Sequence, residues 1–382
     1  MRKYVDRYVD DAGRIDYSRS WPPNPDGSGP APNDPTIQDV IQPSILLFGL
    51  YEVTKQPKYR SALDHTREVF PKIAKNPEGA FWHKPSYPHQ QWLDGIYMSE
   101  PFLTRYGAQY AGADAETCFS IVTEQIELVA AHTFDPESEL YFHAWNGALD
   151  GVWQGLALPS KVPPRNGQRV SPILWARSLA WLFAGTVDVL EYLPRDHAKR
   201  TLLLEVVHNI ARGLSRLQDP ETGLFYQVLD VMAGPLPERG GYPDEADRPA
   251  QPNWLETSAS ALFAYSFAKG VRIGVLPESN LDIARRAYAG VQRKVELHAD
   301  GSLTIRGTVV GMSVGGTYNA YVNADFRDDL ERGEPPAAAS CASAAELGPD
   351  RTPALDCKYI YVRDNVPQGF GALLLAASEL EY

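Results

Sequence analysis

Apolar residues recur at helical spacing along most of the chain. One amphipathic face lies within 203–217 and another within 255–267. The segment 173–190 is apolar nearly all round, which is typical of a helix buried on both sides. Further helices are predicted near 39–55, 58–75, 91–110, 114–132, 279–296 and 367–380. The pattern therefore predicts an all-α protein.

The helices alternate with a recurring turn unit. Each copy is an Asp or Asn followed by Pro and then by a short extended aromatic pair, at 76–83, 135–143 and 219–227, with a degenerate copy at Asp300. Helix pairs separated by such units can bury their apolar faces only against neighbouring pairs. We expect a closed ring, an α/α toroid, with the turn units at one end. An open solenoid is the alternative.

No linker-like segment divides the chain, so we expect a single domain over residues 1–382. Long loops are predicted at about 157–171, 231–253 and 326–357, and a Pro/Gly-rich surface loop at 21–36. Such insertions fit a ring with one mouth elaborated into a binding site.

The net charge is −12. Nucleic acid and anionic membrane surfaces need a basic face, so neither is expected as a partner. The sequence has no apolar run long enough for a membrane span, and Met1–Tyr4 is not followed by the apolar stretch of a signal peptide. Cytoplasmic and secreted locations both stay open, as do a Cys341–Cys357 disulfide and free thiols. We expect a monomer or weak dimer.

Polar residues follow the aromatic pair of each turn unit: His83, His143 and Gln227. If the units are equivalent around a ring, these side chains project to the same end and can converge on a ligand. Capping of a neighbouring helix is the alternative. The surplus of aromatic residues, 11% of the chain, fits sugar rings stacked on flat side chains.

Two helix starts carry charged residues between aromatic ones. Asp94 lies among Tyr87, Trp92 and Tyr97, where desolvation would raise its pKa toward proton donation; a helix cap is the alternative. Arg177 lies between Trp175 and Trp181 and would provide the cation that an anionic substrate needs, unless it forms an internal ion pair. Phosphate-binding and dinucleotide-binding motifs are absent from the sequence, so phosphoryl and hydride transfer are unsupported.

Several segments, in one order along the chain, resemble glycoside hydrolase family 105, the unsaturated rhamnogalacturonyl and glucuronyl hydrolases. The resemblance runs from about residue 37 to the C-terminus. Its specific parts are QWLDGIYM at 91–98, YFHAWN at 141–146, WAR at 175–177 with Trp181, YQVLD at 226–230, LETSASA at 255–261 and GFGALLLAASE at 369–379.

This resemblance implies an (α/α)6 barrel, a six-hairpin toroid of twelve helices, and chemistry without a metal or a cofactor. The implied substrate is an unsaturated uronic-acid oligosaccharide left by a polysaccharide lyase. In the implied reaction an Asp protonates C4, water adds at C5, and the hemiketal opens and expels the aglycone. Asp94 matches a second active-site carboxylate of the family, and we expect Asp94 and Asn146 to form the catalytic centre. From the turn units, the helix starts and the resemblance together, the expected substrate-binding residues are His83, His143, Trp145, Trp175, Arg177, Trp181 and Gln227.

The chain departs from the family at a position that matters. The family's motif is H-x-x-D, with its Asp as proton donor, whereas this chain has His143 followed by Asn146. An amide is not a useful proton donor. Asp94, oriented by Asn146 beneath Trp145, takes the donor role in our interpretation, and Asp150 is a second candidate. Ile41 also stands where the family commonly has Tyr.

Three classes of function remain. The first is an active unsaturated uronyl hydrolase, and the second is a carbohydrate-binding pseudoenzyme on the same scaffold. The third is another toroid enzyme, either a two-carboxylate glycosidase or an epimerase that would use His83 and His143.

Overall fold

The computed structural model describes the following residues: 2–17, 34–148, 170–171, 173–229, 253–312, 314, 324–326, 360–363 and 365–381, with 324–326 and 360–363 described by their backbone alone. Most of the predicted loops at 21–36, 157–171, 231–253 and 326–357 lie outside these residues. So do Asp150, Cys341 and Cys357.

Each predicted helical region contains a helix. The helices are α1 Arg2–Val5, α2 Gln38–Ile41, α3 Leu46–Thr54, α4 Pro57–Arg67, α5 Leu93–Met98, α6 Glu100–Tyr110, α7 Ala115–Thr133, α8 Ala176–Tyr192, α9 Arg200–Ser215, α10 Thr257–Arg272, α11 Leu281–Gln292 and α12 Pro367–Leu380. Proline at the start of α4, α6 and α12 fits helix beginnings, because an N–H is not needed there. A 3₁₀ turn containing Pro43 separates α2 from α3.

The helices form an inner and an outer layer. α8 and α10 are buried along almost their whole length, and α8 packs between α5 and α10. α12 packs on the other side of α10. The amphipathic helices α9 and α11 cover α8 and α10 from outside, each burying one apolar face. This alternation is the α/α arrangement that the repeat predicts.

Short strands lie between the helices and pair mostly in antiparallel twos. The strands are β1 Gln90–Trp92, β2 Phe134–Asp135, β3 Leu140–Tyr141, β4 Ala144–Asn146, β5 Phe225–Tyr226, β6 Leu255–Glu256, β7 Val295–Leu297, β8 Leu303–Ile305, β9 Thr308–Val309, β10 Ala324–Phe326 and β11 Ile360–Arg363. β1 pairs with β4, β2 with β3, β5 with β6 and β7 with β8. β11 lies between β10, which is parallel to it, and β9, which is antiparallel.

The repeated Asx residue closes its own turn. Asn76 Oδ1 accepts the Glu78 and Ala80 amides at 3.0 Å, and Asp219 Oδ2 accepts the Thr222 amide at 2.8 Å. The turn units are therefore locally encoded, as the sequence predicts.

The end of a turn unit is bonded to the start of an inner helix. The amides of Leu93 and Ala176 donate to the carbonyls of His143 and Gln227, both at 3.0 Å. The Thr257 amide donates in the same way to Gly307, at 3.0 Å. These bonds bring the starts of α5, α8 and α10 to the same end as the polar residues of the turn units.

Within the described ranges, none of the helices is long and apolar enough to cross a membrane.

Candidate active site

The candidate site is built from the starts of three inner helices. An extended residue precedes each helix; in the order α5, α8 and α10 these are Trp92, Trp175 and Glu256. The second residue of each helix, in the same order, is Asp94, Arg177 and Ser258. The fold therefore places Asp94 and Arg177 at equivalent positions of neighbouring helices.

Asp94 is a buried carboxylate with two polar neighbours on one oxygen. Ser178 Oγ donates to Asp94 Oδ2 at 2.5 Å, and His143 Nε2 lies 3.4 Å from the same oxygen. Burial raises the pKa of Asp94, but the hydrogen bond and charge of His143, the charge of His83 and the Ser178 hydroxyl outweigh it and lower that pKa to about 2. The predicted upward shift is wrong, because polar partners outweigh the apolar walls.

His83 and His143 both contact the ring of Trp92. The His83 ring stacks on Trp92 with centroids 4.3 Å apart and planes 12° from parallel, whereas His143 meets Trp92 edge-on at 5.2 Å. His83 Nε2 lies 3.8 Å from Asp39 Oδ1. Burial lowers the pKa of His83 to about 4 and outweighs the attraction of Asp39.

Arg177 is a buried cation held by backbone carbonyls. Its side chain donates to the carbonyl of Val309 through Nη1 and to that of Val310 through Nη2, the second at 3.4 Å. Its guanidinium also lies over the Trp175 ring, 5.2 Å from the centroid. Among the described residues Arg177 forms no ion pair, and its Nε has no hydrogen-bond partner. Burial lowers the pKa of Arg177, which the charges of Glu256 and Asp94 oppose.

The remaining predicted residues lie at different depths around this centre. The rings of Trp175 and His143 are 4.7 Å apart, so Trp175 contacts both His143 and Arg177. Trp181 lies one helical turn after Arg177 in α8. Its ring packs on Tyr97 with centroids 4.6 Å apart, and the side chain is only partly buried. Gln227 is fully buried, and its carbonyl accepts the Ala176 amide at the start of α8.

Asn146 and Trp145 face opposite sides of β4. Asn146 pairs with Gln90 and Ala144 with Trp92, so the side chains of Asn146 and Trp92 share the face that carries His83 and His143. Trp145 lies on the other face, fully buried, and stacks on His132 at 3.7 Å. The expectation that Trp145 lines the pocket is therefore wrong, because strand residues alternate.

Asn146 does not orient Asp94 by a hydrogen bond. Its Oδ1 instead accepts the Ala148 amide at 2.8 Å, whereas Asp94 bonds to Ser178. The predicted Asn146–Asp94 contact is absent from the described residues. The Asn146 side chain closes the turn that follows β4.

Ser178 and Glu256 are site residues that the sequence argument did not select. Glu256 is fully buried and accepts the Val309 amide at 3.0 Å, next to the carbonyl that Arg177 binds. The repeat could have identified Glu256. When the starts of α5, α8 and α10 are aligned, Glu256 takes the position of Trp92 and Trp175, two residues before the position of Asp94 and Arg177. Ile41 is fully buried in α2.

Across the ranges that the structure describes, His, Cys, Asp and Glu side chains form no group of three or more that could hold a metal ion.

The family model for Glycosyl Hydrolase Family 88 matches residues 1–333 of the chain. A glycoside hydrolase from family 105 of C. acetobutylicum superposes with a TM-score of 0.72 at 26% identity, covering 100% of this chain and 86% of that one. Protein Atu3128 of Agrobacterium fabrum is 30% identical over 231 residues, 59% of this chain and 84% of that protein. The unsaturated rhamnogalacturonyl hydrolase YesR of Bacillus subtilis is 25% identical over 201 residues, 51% of this chain and 52% of that protein.

Proposed function

Because the chain belongs to glycosyl hydrolase family 88, we propose that it removes a 4,5-unsaturated uronic acid from the non-reducing end of lyase-generated oligosaccharides. The chemistry is hydration of the C4=C5 double bond. The Bacillus relative is named an unsaturated rhamnogalacturonyl hydrolase.

The observation that carries the proposal is the buried guanidinium of Arg177. A buried cation is costly unless an anion compensates it, and the described residues provide no direct carboxylate partner. Two backbone carbonyls use one N–H each of Nη1 and Nη2, which leaves Nε–H and one N–H on each Nη. A carboxylate can bind bidentately to such an edge. A uronate supplies that carboxylate, whereas a neutral sugar does not.

Asp94 is the proposed proton-transfer group. Among the described residues, Ser178 and His143 both contact Oδ2, so we assign Oδ1 to the substrate. With a pKa of about 2, Asp94 is ionised near neutral pH before a substrate binds. The carboxylate of an arriving uronate disfavours that charge and raises the Asp94 pKa. The protonated form of Asp94 is the acid, and Ser178 and His143 remain beside its Oδ2.

The reaction consumes one water. Asp94 gives its proton to C4, and positive charge develops at C5 and the ring oxygen. Asp94 then takes a proton from water while the hydroxyl adds at C5. The resulting hemiketal opens and expels the aglycone, so no second carboxylate is needed beside the glycosidic bond.

A carbohydrate-binding protein without turnover is the second candidate. The observation that favours it is Asn146, an amide on the site face where the resembling family has its acid. An Asp at this position could accept the same Ala148 amide, so Asn146→Asp should leave the turn intact.

The experiment follows the ultraviolet absorbance of the C4=C5 bond in an unsaturated disaccharide. We expect the wild type to remove it and Asp94→Asn to leave it, with disaccharide binding by calorimetry retained in the variant. Asn146→Asp should keep or raise the rate. Full activity of Asp94→Asn would refute the assignment of the acid. Turnover by Asn146→Asp alone would establish the binding protein instead.

A further inference from the structure

We propose that Glu256 is a positioning residue for Arg177, acting through the main chain of Val309 as a counter-ion that leaves the free edge of the guanidinium open. This inference rests on the proposed function, because it assigns Arg177 to the substrate carboxylate. It concerns how the site distinguishes a charged uronide from its neutral ester.

Glu256 and Arg177 meet on one edge of β9. The N–H of Val309 donates to Glu256 Oε1 at 3.0 Å, and its carbonyl accepts from Arg177 Nη1. An extended residue directs its N–H and C=O to the same side, so the carboxylate and the guanidinium lie next to each other along the strand. Val309 and Glu256 are fully buried, and Arg177 is 4% exposed.

The Glu256 carboxylate is fixed by the start of α10. Its side chain accepts the Ala259 amide as an N-cap, and Ser258 Oγ lies 2.9 Å from both oxygens. These bonds fix the side chain, so the position of the Val309 main chain is fixed too. Val309 in turn fixes where Arg177 points.

The two charges compensate each other without direct contact. Glu256 and Arg177 form no ion pair, yet the charge of Glu256 is the largest influence that keeps the pKa of Arg177 from falling further on burial. A direct bidentate pair would occupy the edge that a substrate carboxylate needs. The indirect arrangement keeps the cation charged and that edge available.

Glu256→Asp is the informative variant. Asp is a strong N-cap, so α10 should still form, but the shorter side chain withdraws from the Val309 amide. We expect the KM and the Kd for an unsaturated uronide to rise about tenfold, with kcat within about twofold. The methyl ester of the same uronide should bind equally to wild type and variant. Glu256→Gln removes the charge, and we expect it to weaken uronide binding but not ester binding, as Glu256→Asp does.

Ser266→Ala is the matched control. It removes another buried hydroxyl of α10, which donates to the Leu262 carbonyl and contacts neither Glu256 nor Val309, so uronide binding should stay within about twofold of the wild type. In an Arg177→Met background, Glu256→Asp should have no further effect on the preference for uronide over ester. Melting temperatures of all variants report on folding separately.

Calorimetry separates the possible failures. If Glu256→Asp and Glu256→Gln keep the wild-type preference for uronide over ester, the inference is wrong while the proposed function stands. Equal losses for uronide and ester would show a purely structural role and would also overturn it. If the wild type itself binds the uronide no better than the ester, the role of Arg177 fails, and the inference fails with it.

Discussion

His83 should make the free energy of unfolding of this protein fall in acid, mainly between about pH 6.5 and about pH 4. Its imidazole is 3% exposed, stacks on Trp92 and has an Nδ1 without a partner among the described residues. Burial lowers the pKa of His83 from 6.5 to about 4. Between these two pKa values, His83 is therefore protonated in the unfolded chain but neutral in the native state. The free energy of unfolding falls by about 3 kcal/mol as the pH drops from about 7.5 to about 4, and this group changes it little above pH 7.5.

The perturbation is His83→Phe, which keeps a ring on Trp92 but removes the titrating group. Urea unfolding at about pH 7.5 and about pH 4.5 gives the acid-induced loss of unfolding free energy for each protein, and we expect the variant to lose about 2–3 kcal/mol less than the wild type. Asp39→Asn provides a test of opposite sign. The Asp39 charge raises the pKa of His83, so its removal should increase the acid-induced loss.

Comparison of wild type and variant cancels the titration of carboxyl groups common to both. Equal acid-induced losses in wild type and His83→Phe would refute the reasoning. A smaller loss in Asp39→Asn would show that other groups control the acid sensitivity.

Two further variants test the site and its surroundings. Arg177→Lys should raise the KM for an unsaturated uronide by roughly 10- to 100-fold with little change in kcat, because an ammonium cannot replace a bidentate guanidinium; steady-state kinetics measure this, and an unchanged KM would contradict it. Trp145→Phe should lower the free energy of unfolding by about 1–3 kcal/mol, because Trp145 Nε1 donates to the buried Gln91 Oε1 at 2.8 Å. Its KM should stay within about twofold of the wild type, and a kinetic defect without destabilisation would return Trp145 to the pocket.

The features that the sequence predicts well are local ones. Asn76 and Asp219 bond to amides two to four residues away, so a short motif is enough to specify the turn. The helices follow from apolar spacing, and their packing into an α/α toroid follows because a repeated pair has only neighbouring pairs to pack against.

The pKa of Asp94 shows where such local reasoning fails. The aromatic residues that surround Asp94 in sequence suggested desolvation and a raised pKa. Ser178, which donates to its carboxylate, is 84 residues away along the chain, and His143 arrives from another turn unit. Nothing near Asp94 in the sequence shows that these partners face it, so the sign of the shift depends on the fold.

Trp145 and Asn146 illustrate a constraint that the sequence did contain. Adjacent residues of an extended segment point to opposite faces, so the two cannot both line a pocket. Once β4 is recognised as a strand, Asn146 on the face of Trp92 implies Trp145 in the core. The alternation of side chains along a strand therefore decides which of Trp145 and Asn146 faces the site.

The two buried ions of the site, Asp94 and Arg177, are bonded to partners other than each other. Asp94 is held by Ser178 and His143, and Arg177 by the carbonyls of Val309 and Val310. A direct pair between them would satisfy both charges and leave little for an anionic ligand to bind. Among the described residues, this separation leaves one carboxylate oxygen of Asp94 and one guanidinium edge of Arg177 without a bond, which is what the proposed substrate, with a carboxylate and a carbon to be protonated, would require.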